Sequence, residues 1–406
     1  MRVLHVIPSV SPKRGGPSQA VLAMVRALRE AGVGAEIAVT NDDGEGVLDV
    51  PLGERIEHGG VPVRFFRRFS PPFRPVREFA YSGPLARWLD AAVSGYDLLH
   101  VHGVFSFAST RAMWAARSGR VPYVNRPLGQ LCGWSLQQRA FKKRAYLALA
   151  ERANLDTAAA IQYMTPAEQG EAACLGLRAP GFVVPHGIEL PQLQSDARAR
   201  LRSELHLGPD ENVVLFLSRL HPKKGLEVLI PALALIKDVP FTFVLAGSSD
   251  PPDYQTEIER LLRETGMTAR TKRVGFVSGE WKQVLLQGAD VFALTSHSEN
   301  FGLAVVEALA ARLPVVVTPG VALADEVTRH QVGEVVPMEV RPIAEAITGL
   351  LRQRATRLRM GLSAREMVER HYAWPAVAAR ITAEYQRILG SPRPTVADLS
   401  PIGGTG

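Results

Sequence analysis

Cysteine is scarce in this chain. Its 406 residues include only two cysteines, Cys132 and Cys174. Two thiols cannot build a disulfide framework, and they are too few for a zinc site made of thiolates. The low cysteine content therefore predicts a reducing compartment and excludes the class of small, disulfide-rich secreted proteins.

Long hydrophobic runs are absent as well. The first apolar run, residues 3–7, stops at Pro8 and lacks the small-residue cleavage pattern of a signal peptide. The longest weakly polar stretch, residues 302–324, contains Glu307, Arg312 and two prolines, whereas a membrane-spanning helix needs about 20 nearly uncharged residues. We therefore expect a cytoplasmic protein without a transmembrane segment.

Acidic residues are too few in the first half to balance the basic ones. The chain has 47 Lys and Arg against 40 Asp and Glu, and residues 1–190 hold 22 of the former and 16 of the latter. The densest basic segment is 64–69 (Arg-Phe-Phe-Arg-Arg-Phe), followed by Arg74 and Arg77, and a second one is 142–144. Such segments fit a solvated face, an anionic membrane surface or a nucleic acid. No nucleic-acid-binding module accompanies them, so we expect no nucleic acid, and a peripheral position on the inner face of a membrane stays open.

Apolar runs of strand length alternate with amphipathic helical stretches along the chain, which predicts parallel sheets covered by helices. A turn-rich segment at 187–194 divides the pattern into two series. We expect an α/β protein with two doubly wound, Rossmann-like lobes, residues 1–187 and 188–373. A C-terminal helix at 374–390 would return to the first lobe, and a flexible tail would follow at 391–406. Ligands of such sheets bind outside the carboxyl ends of the strands, so the expected site is the cleft between the lobes.

The individual elements follow from the same pattern. The predicted strands are 3–7, 35–40, 98–101, 122–125, 159–163 and 182–185 in the first lobe and 213–217, 241–246, 274–276, 291–294, 315–318 and 334–336 in the second. The main predicted helices are 18–31, 225–236, 254–265, 302–311, 340–369 and 376–389.

A glycine pair follows the first predicted strand. Gly15 and Gly16 stand just ahead of a helix, so that backbone N–H groups beside a helix N-terminus could meet an anion closely. The segment lacks the G-x-G-x-x-G spacing of dinucleotide-binding sites. A plain turn followed by Ser18 as a helix cap accounts for the same residues, so both interpretations stay open.

Two histidines share one face of the strand that ends near residue 102. His100 and His102 are two residues apart, and Gly103 ends the strand, which places His102 near its carboxyl end. A metal site is disfavoured because no Asp, Glu or Cys lies nearby in the sequence to complete a ligand set. The alternative to a functional His102 is a hydrogen-bonded structural histidine.

Two cations follow the first strand of the second lobe. Arg219 and Lys224 precede a helix that opens near Gly225. Cations near a helix N-terminus are electrostatically unfavourable unless an anion joins them. A diphosphate would satisfy both, since Arg can bind it bidentately and Lys acts as a point charge. The alternative is a pair of solvated surface cations.

Two glutamates stand eight residues apart in the second lobe. Glu299 lies in the loop after a strand, so its carboxylate can reach a ligand at the strand ends. Glu307 lies on an apolar helix face, where a carboxylate needs a partner such as a sugar or ribose hydroxyl. A structural salt bridge between the two lobes is the alternative. Free N–H groups near residues 301–303 can bind phosphate or sugar oxygens.

Together these residues resemble the family-4 retaining glycosyltransferases, two-lobed enzymes of the GT-B fold that use nucleotide sugars. The resemblance covers residues 1 to about 375 and rests on Gly15-Gly16, His102, Arg219…Lys224-Gly225 and Glu299-Asn300-Phe301-Gly302…Glu307. The loop at 126–129, Arg-Pro-Leu-Gly, also resembles a first-lobe loop of the family. Ser218 and His186 stand where the family often has Gly and Asn, and neither departure removes a charged group.

The resemblance implies a role for each matching residue. His102 would approach the transferred sugar near its anomeric carbon, while Arg219 and Lys224 would hold the diphosphate and Glu299 the sugar hydroxyls. The donor-binding residues would be Gly15 and Gly16 near the phosphate, Asn300, Phe301, Gly302 and Leu303 through their backbone, Glu307 at the ribose, and Gly275 and Phe276 at the base.

The resemblance also implies a reaction. It is the transfer of a hexose, with retention, from a UDP- or GDP-sugar to a saccharide or lipid-linked acceptor in cell-surface polysaccharide or glycolipid synthesis. No Asp-x-Asp motif stands at a strand end, so we expect no obligatory metal and no other cofactor. Two rivals stay open: a nucleotide-sugar epimerase of the same fold and a non-enzymatic two-lobed sugar-binding protein.

Overall fold

The computed structural model describes residues 1–73, 77–137, 140–249, 251 and 253–390. Arg74 and the predicted tail at 391–406 lie outside the described residues. The chain divides into two compact units, one formed by Met1–Val184 together with the residues from Ala378 onward, the other by Pro185–Val377. No helix in the described part of the chain is long and apolar enough to cross a membrane.

The first unit contains an eight-stranded sheet in the order β10-β9-β8-β7-β1-β2-β6-β5. Every neighbouring pair is parallel except β5 and β6, which form an antiparallel edge. A separate antiparallel ribbon joins β3 and β4. The strands are β1 Arg2–Ile7, β2 Gly34–Thr40, β3 Asp42–Asp43, β4 Gly46–Val47, β5 Arg55–His58, β6 Val61–Phe66, β7 Leu98–His102, β8 Tyr123–Arg126, β9 Ala160–Tyr163 and β10 Gly181–Val183.

Helices cover this sheet, and polar side chains fix where several of them begin. The hydroxyls of Ser82, Ser106 and Thr165 each accept a backbone N–H three residues on, as N-caps do. The helices are α1 Gly16–Glu30, α2 Gly83–Ala92, α3 Phe107–Ser118, α4 Gly133–Gln137, α5 Ala140–Tyr146, α6 Arg152–Asp156 and α7 Pro166–Ala173, with a π-helical turn at Leu147–Glu151.

The second unit contains a six-stranded, wholly parallel sheet in the order β13-β12-β11-β14-β15-β16. Its strands are β11 Asn212–Leu217, β12 Phe241–Ala246, β13 Thr271–Gly275, β14 Val291–Leu294, β15 Val315–Val317 and β16 Gly333–Val335. Its helices are α8 Ala197–Leu205, α9 Leu226–Leu235, α10 Tyr254–Glu264, α11 Gly279–Gly288, α12 Leu303–Ala310, α13 Ala324–His330, α14 Val340–Arg352 and α15 Arg354–His371. A last helix, α16 Trp374–Gly390, begins in this unit and continues in the first.

The predicted α/β class with two doubly wound halves is confirmed, and two local predictions are wrong. The single helix expected at 340–369 is interrupted at Gln353, whose φ of −108° and ψ of 74° are not helical. No strand was expected between 40 and 98, yet β5 and β6 form a hairpin there. Charged residues on this edge hairpin break the apolar run by which central strands are identified.

Candidate active site

Each sheet reverses its strand order beside its first strand. β1 lies between β2 and β7, and β11 lies between β12 and β14. The loops that follow the strands at such a reversal leave in opposite directions and open a crevice at the carboxyl ends. In the first unit Gly15 and Gly16 follow β1, and His102 is the last residue of β7. In the second unit these loops carry Arg219 and Lys224 after β11 and Glu299 after β14.

The glycine pair stands between a 3-10 turn, Pro12–Arg14, and the start of α1. Gly15 has a φ of +83°, which a residue with a Cβ adopts only with strain. A methyl group added at Gly15 or Gly16 would meet nothing within 4 Å. The backbone conformation therefore requires glycine at position 15. Both glycines face open space in which another molecule could approach the backbone.

Charged side chains anchor the turn before this pair. The Arg14 guanidinium donates to both carboxylate oxygens of Asp42, at 2.6 and 2.9 Å, and the buried Arg68 donates to the same carboxylate. Lys13 and Ser11 donate to Asp43, at 2.6 and 2.5 Å, and these two bonds lower the pKa of Asp43. The cations of this loop are thus engaged inside the unit.

His102 belongs to a buried layer of three histidines. His5 on β1 lies opposite His100 on β7 in the sheet register, and its Nδ1 is 3.0 Å from Nε2 of His102. The sequence analysis missed His5 because it stands alone in an apolar run. The contact forms because β1 pairs with β7, although His5 and His102 are 97 positions apart in the sequence. The sequence contained only one hint of it, namely a predicted strand at 3–7 that includes a histidine.

Two further residues complete the layer, Arg126 and Tyr385. Arg126 lies opposite His102 in the register of β7 and β8 and is 1% exposed. The Tyr385 hydroxyl, on α16, is 2.6 Å from Nδ1 of His100. Burial, and secondarily the neighbouring positive charge, lowers the pKa of His5 to about 3 and holds the pKa of His102 well below its usual range. His102 is therefore a neutral imidazole that can exchange hydrogen bonds but carries no charge.

The three imidazoles also raise the question of a metal ion, since one ring nitrogen of each lies within 4.8 Å of the others. The Arg126 guanidinium beside them opposes a divalent cation. Among the described residues, no carboxylate or thiolate belongs to the group. We therefore treat the three histidines as neutral hydrogen-bonding groups and assign no metal to them.

In the second unit the loops after β11 and β14 meet. The Lys224 ammonium and the Glu299 carboxylate form an ion pair, with 11% and 21% of the two side chains exposed. The backbone supports this contact, because the N–H of His297 donates to the carbonyl of Lys223 at 2.8 Å. The residues that the resemblance assigns to the diphosphate and to the sugar therefore lie in direct contact, although they are 75 positions apart.

The segment that contains Arg219 and Lys224 is tightly constrained. It leaves the sheet beside β12, where the N–H of Leu220 donates to the carbonyl of Ser248 at 2.9 Å. Gly225 ends it with a φ of +69°, and a Cβ there would lie 1.9 Å from the carbonyl oxygen of Thr295. Only glycine fits this position, so the backbone fixes where the Lys224 side chain begins.

The Glu299 loop is anchored by Phe301. The Phe301 side chain is 6% exposed, and its ring stacks on His186 with the centroids 5.9 Å apart. Gly302 follows with a φ of +83° and leads into α12, which begins at Leu303. A buried Phe301 side chain is consistent with its assignment to the donor through backbone groups only, as for Asn300 and Leu303.

Glu307 on α12 has a charged partner. Lys282 on α11 donates to its carboxylate at 2.6 Å, and each side chain is 22% exposed. The sequence left a sugar or ribose hydroxyl and a salt bridge between the lobes as alternatives. The structure instead contains a salt bridge within the second unit, to a lysine that was not predicted, and both groups remain partly accessible.

Gly275 ends β13 with a φ of +68°. Its carbonyl accepts the N–H of Gly247 at 2.7 Å, so the end of β13 is tied to the end of β12. The next residue, Phe276, is 78% exposed. A large exposed ring beside a strand end offers a surface on which a planar group can stack.

Comparison with known families gives the same division of the chain. Residues 15–187 match the model described as "Glycosyl transferase 4-like domain". Residues 197–367 match the model described as "Glycosyl transferases group 1". The two models together span nearly all of both units.

Curated relatives match along almost their whole length. A D-inositol 3-phosphate glycosyltransferase of Xylanimonas cellulosilytica is 29% identical, with 95% of this chain and 95% of the relative covered. A phosphatidyl-myo-inositol mannosyltransferase of Mycobacterium leprae is 25% identical, with 96% and 98% covered.

Solved structures share the fold. HepE of Anabaena in complex with UDP superposes with a TM-score of 0.75 at 22% identity, over 95% of this chain and 100% of that one. The sucrose-phosphate synthase of Thermosynechococcus elongatus gives a TM-score of 0.71 at 23% identity, over 96% and 99%.

Proposed function

Because this chain is a family-4 glycosyltransferase with the GT-B fold, we propose that it transfers a hexose, with retention, from a UDP- or GDP-sugar to a saccharide or lipid-linked acceptor. The product would belong to cell-surface polysaccharide or glycolipid synthesis. The observation that carries the proposal is the contact between Lys224 and Glu299 at the carboxyl edge of the second sheet.

A cation and an acid in contact suit a sugar diphosphate. Breaking the bond between the anomeric carbon and the diphosphate leaves negative charge on the nucleoside diphosphate. A bond from the acceptor oxygen to the anomeric carbon replaces it, and the proton of that hydroxyl passes to an oxygen of the departing diphosphate. Arg219 and Lys224 stabilise the leaving diphosphate. Glu299 accepts hydrogen bonds from the sugar hydroxyls, and the backbone of residues 300–303 assists it.

The proposal extends to the remaining residues that the family resemblance assigns to the donor and the sugar. Glu307 binds the ribose after exchanging Lys282 for hydroxyl groups, and the base lies against the end of β13 at Gly275 and Phe276. In the first unit, Gly15 and Gly16 admit the donor phosphate close to the backbone. His102, held neutral, donates or accepts a hydrogen bond near the anomeric carbon.

The charge needed at the leaving group comes from the protein in this proposal. Two cations are available at the diphosphate, so no obligatory metal or cofactor is required. Activity that survives dialysis against a strong chelator would support this point, and restoration of lost activity by a divalent cation would contradict it.

Relatives guide the first choice of donor and acceptor. HepE structures contain UDP and UDP-glucose, and several relatives are named for inositol phosphate or phosphatidyl-myo-inositol. A UDP-sugar and a phosphorylated or lipid-linked polyol are therefore the first candidates. The rival epimerase would convert a donor to its isomer without an acceptor, and incubation with donor alone tests it.

A lipid-linked acceptor agrees with one surface of the first unit. Phe141 and Leu149 are 86% and 89% exposed and flank the basic residues 142–144 along the chain, a pattern that favours an anionic membrane surface. We expect co-sedimentation with anionic vesicles at low salt, where this attraction is strongest. Its absence there would remove the membrane from the proposal.

The donor is tested by thermal unfolding in the presence of a panel of UDP- and GDP-sugars, because a ligand that binds only the folded protein raises the melting temperature. One nucleotide series should stabilise the wild type and lose its effect in Lys224→Ala. As a matched control, Arg260→Ala removes an exposed cation that pairs only along its own helix and should keep the shift. No shift with any nucleotide sugar would contradict the proposal.

A further inference from the structure

A cavity of about 480 Å³ opens on the first unit away from the site described above. Arg2 at the start of β1 and Glu36 near the start of β2 line it, together with Arg55 and Arg64 on the β5–β6 hairpin. At about 3.3 Å per residue, the six residues of β1 separate Arg2 from the glycine loop by roughly 20 Å. The cavity therefore belongs to the opposite end of the sheet.

The cavity has an excess of positive charge. Its lining contains four arginines, the fourth being Arg29, against a single acid, Glu36. That acid is already engaged, because Arg55 Nε donates to one of its oxygens at 2.9 Å and the Tyr96 hydroxyl to the other at 2.6 Å. Arg55 also lies directly opposite Arg64 in the antiparallel register, and like charges in that relation destabilise a sheet.

The other three guanidinium groups have no carboxylate partner among the described residues. Arg64 lies over the Trp88 ring at 5.3 Å and donates to the Gly53 carbonyl, but its Nε is buried without a hydrogen-bond partner. Arg2 lies over the Tyr96 ring at 5.1 Å, and Arg29 donates to the carbonyl of Ala35 at 3.1 Å. Aromatic rings and carbonyl oxygens orient these cations and leave their charge uncompensated.

We propose that this cavity binds a phosphate monoester or diphosphate group, as a second anion site distinct from the one assigned to the donor. A multiply charged oxyanion would lie between the opposed arginines of the lining and pair with their guanidinium groups. Planar guanidinium groups match phosphate oxygens in pairs. The volume exceeds that of a phosphate alone, so the rest of the ligand, a soluble molecule or a lipid, can lie along Trp88. The proposal does not depend on the proposed function.

Calorimetric titration with inorganic pyrophosphate at low salt tests the site in the full chain. In Lys224→Ala the proposed donor diphosphate site loses one of its two cations and should no longer bind pyrophosphate measurably. We expect two binding events in the wild type and one in Lys224→Ala. Adding Arg64→Met, which keeps the aliphatic stem over Trp88, should weaken the remaining event at least tenfold, the effect of about one charged hydrogen bond. Arg87→Met, on α2 but outside the cavity, changes the net charge equally and should leave it unaltered.

A second variant should increase the affinity for pyrophosphate instead of decreasing it. Glu36→Gln removes the only acid from the lining and keeps an amide for Tyr96, so pyrophosphate should bind several-fold more tightly. Glu30→Gln, an exposed acid at the end of α1, is its matched control and should have little effect. Because Glu36→Gln strengthens binding, loss of folding cannot imitate the expected result.

The outcomes separate the two possible sources of the phosphate and the two proposals. Binding of free pyrophosphate favours a soluble ligand, whereas binding only to vesicles with phosphatidic acid, lost in Arg64→Met, favours a lipid. Should Lys224→Ala leave the stoichiometry unchanged while Arg64→Met removes binding, the donor assignment fails and the cavity stands. The cavity proposal would be overturned if neither Arg64→Met nor Glu36→Gln changed the affinity of the protein for pyrophosphate or for vesicles.

Discussion

In both units the candidate residues lie at the carboxyl ends of strands where the strand order reverses. The two sets of residues differ in their charge. In the first unit His102 is fully buried and neutral among His5, His100 and Arg126. In the second unit the candidate groups are charged, partly exposed and paired with one another, as in Lys224 with Glu299.

This difference bears on what a ligand must do in each unit. Desolvation favours the neutral form of a base, so the imidazole of the first unit is set before any substrate binds. In the second unit, Lys224, Glu299 and Glu307 are each held by an ion pair. A bound diphosphate or sugar hydroxyl could replace the partner in such a pair. Burial thus sets the protonation state of His102 in the first unit, whereas ion pairs that a ligand can replace position the charged groups of the second unit.

The largest expected effect tests whether the chemistry depends on the charges of the second unit. Lys224→Ala removes a cation that the proposed function places at the leaving group, and it should reduce kcat about a thousandfold, in the range found when a single stabilising group of a transition state is lost. Glu299→Ala should abolish transfer as well, since the sugar loses its acceptor of hydrogen bonds. Steady-state kinetics with the donor found by thermal shift measure both.

Arg260→Ala is the control, because its ion pairs lie on the exposed surface of α10. It should retain wild-type kcat. Near-native turnover by purified, folded Lys224→Ala would instead show that the second unit's charges are structural.

An intermediate effect tests whether burial distinguishes the first unit. Its three buried histidines have lowered pKa values in the folded state, so below about pH 6.5 the unfolded chain binds protons that the folded chain does not. The stability they contribute is present at neutral pH and is lost as pH falls from about 6.5 towards about 3, the folded pKa of His5. From pH 7 to 6 we expect the first unit to lose about 2 kcal/mol in total.

Hydrogen exchange followed by mass spectrometry at the two pH values, corrected for the intrinsic rate, measures this difference. Amides of β1 and β7 should lose protection while those of β11 and β14 keep it, since no histidine described in the second unit is buried. Equal losses in both units would contradict the role assigned to the buried layer.

The smallest effect sharpens the distinction between pairing and catalysis within the second unit. Glu307→Gln should raise the KM for the donor about tenfold with little change in kcat, because ribose contacts are the same in the ground and transition states. Lys282→Met frees the carboxylate and should lower that KM. An exposed acid, Glu264, provides a control as Glu264→Gln. If Glu307→Gln and Lys282→Met alter kcat and not KM, Glu307 does not act at the ribose.

The class of fold and the chemical types of the candidate site residues could be predicted from the order of residues along the chain. Strand–helix alternation is a local pattern, and it was enough to predict two doubly wound halves. Cations after one strand and an acid after another were likewise visible, because loops at strand ends carry function in such sheets. The β5–β6 hairpin was not predicted because its charged residues interrupt the apolar run that identifies a strand. The break at Gln353 was not predicted because the residues on both sides of it are helical.

Which of these residues lie in contact, and which of them are charged, depends on how the chain folds. The contacts of His5 with His102, of Lys282 with Glu307 and of Arg55 with Arg64 join segments that strand pairing and helix packing bring together. The pKa of an imidazole depends on how much water the surrounding chain excludes, which no single segment contains. The residue types are local properties of the sequence, whereas proximity and desolvation belong to the folded chain.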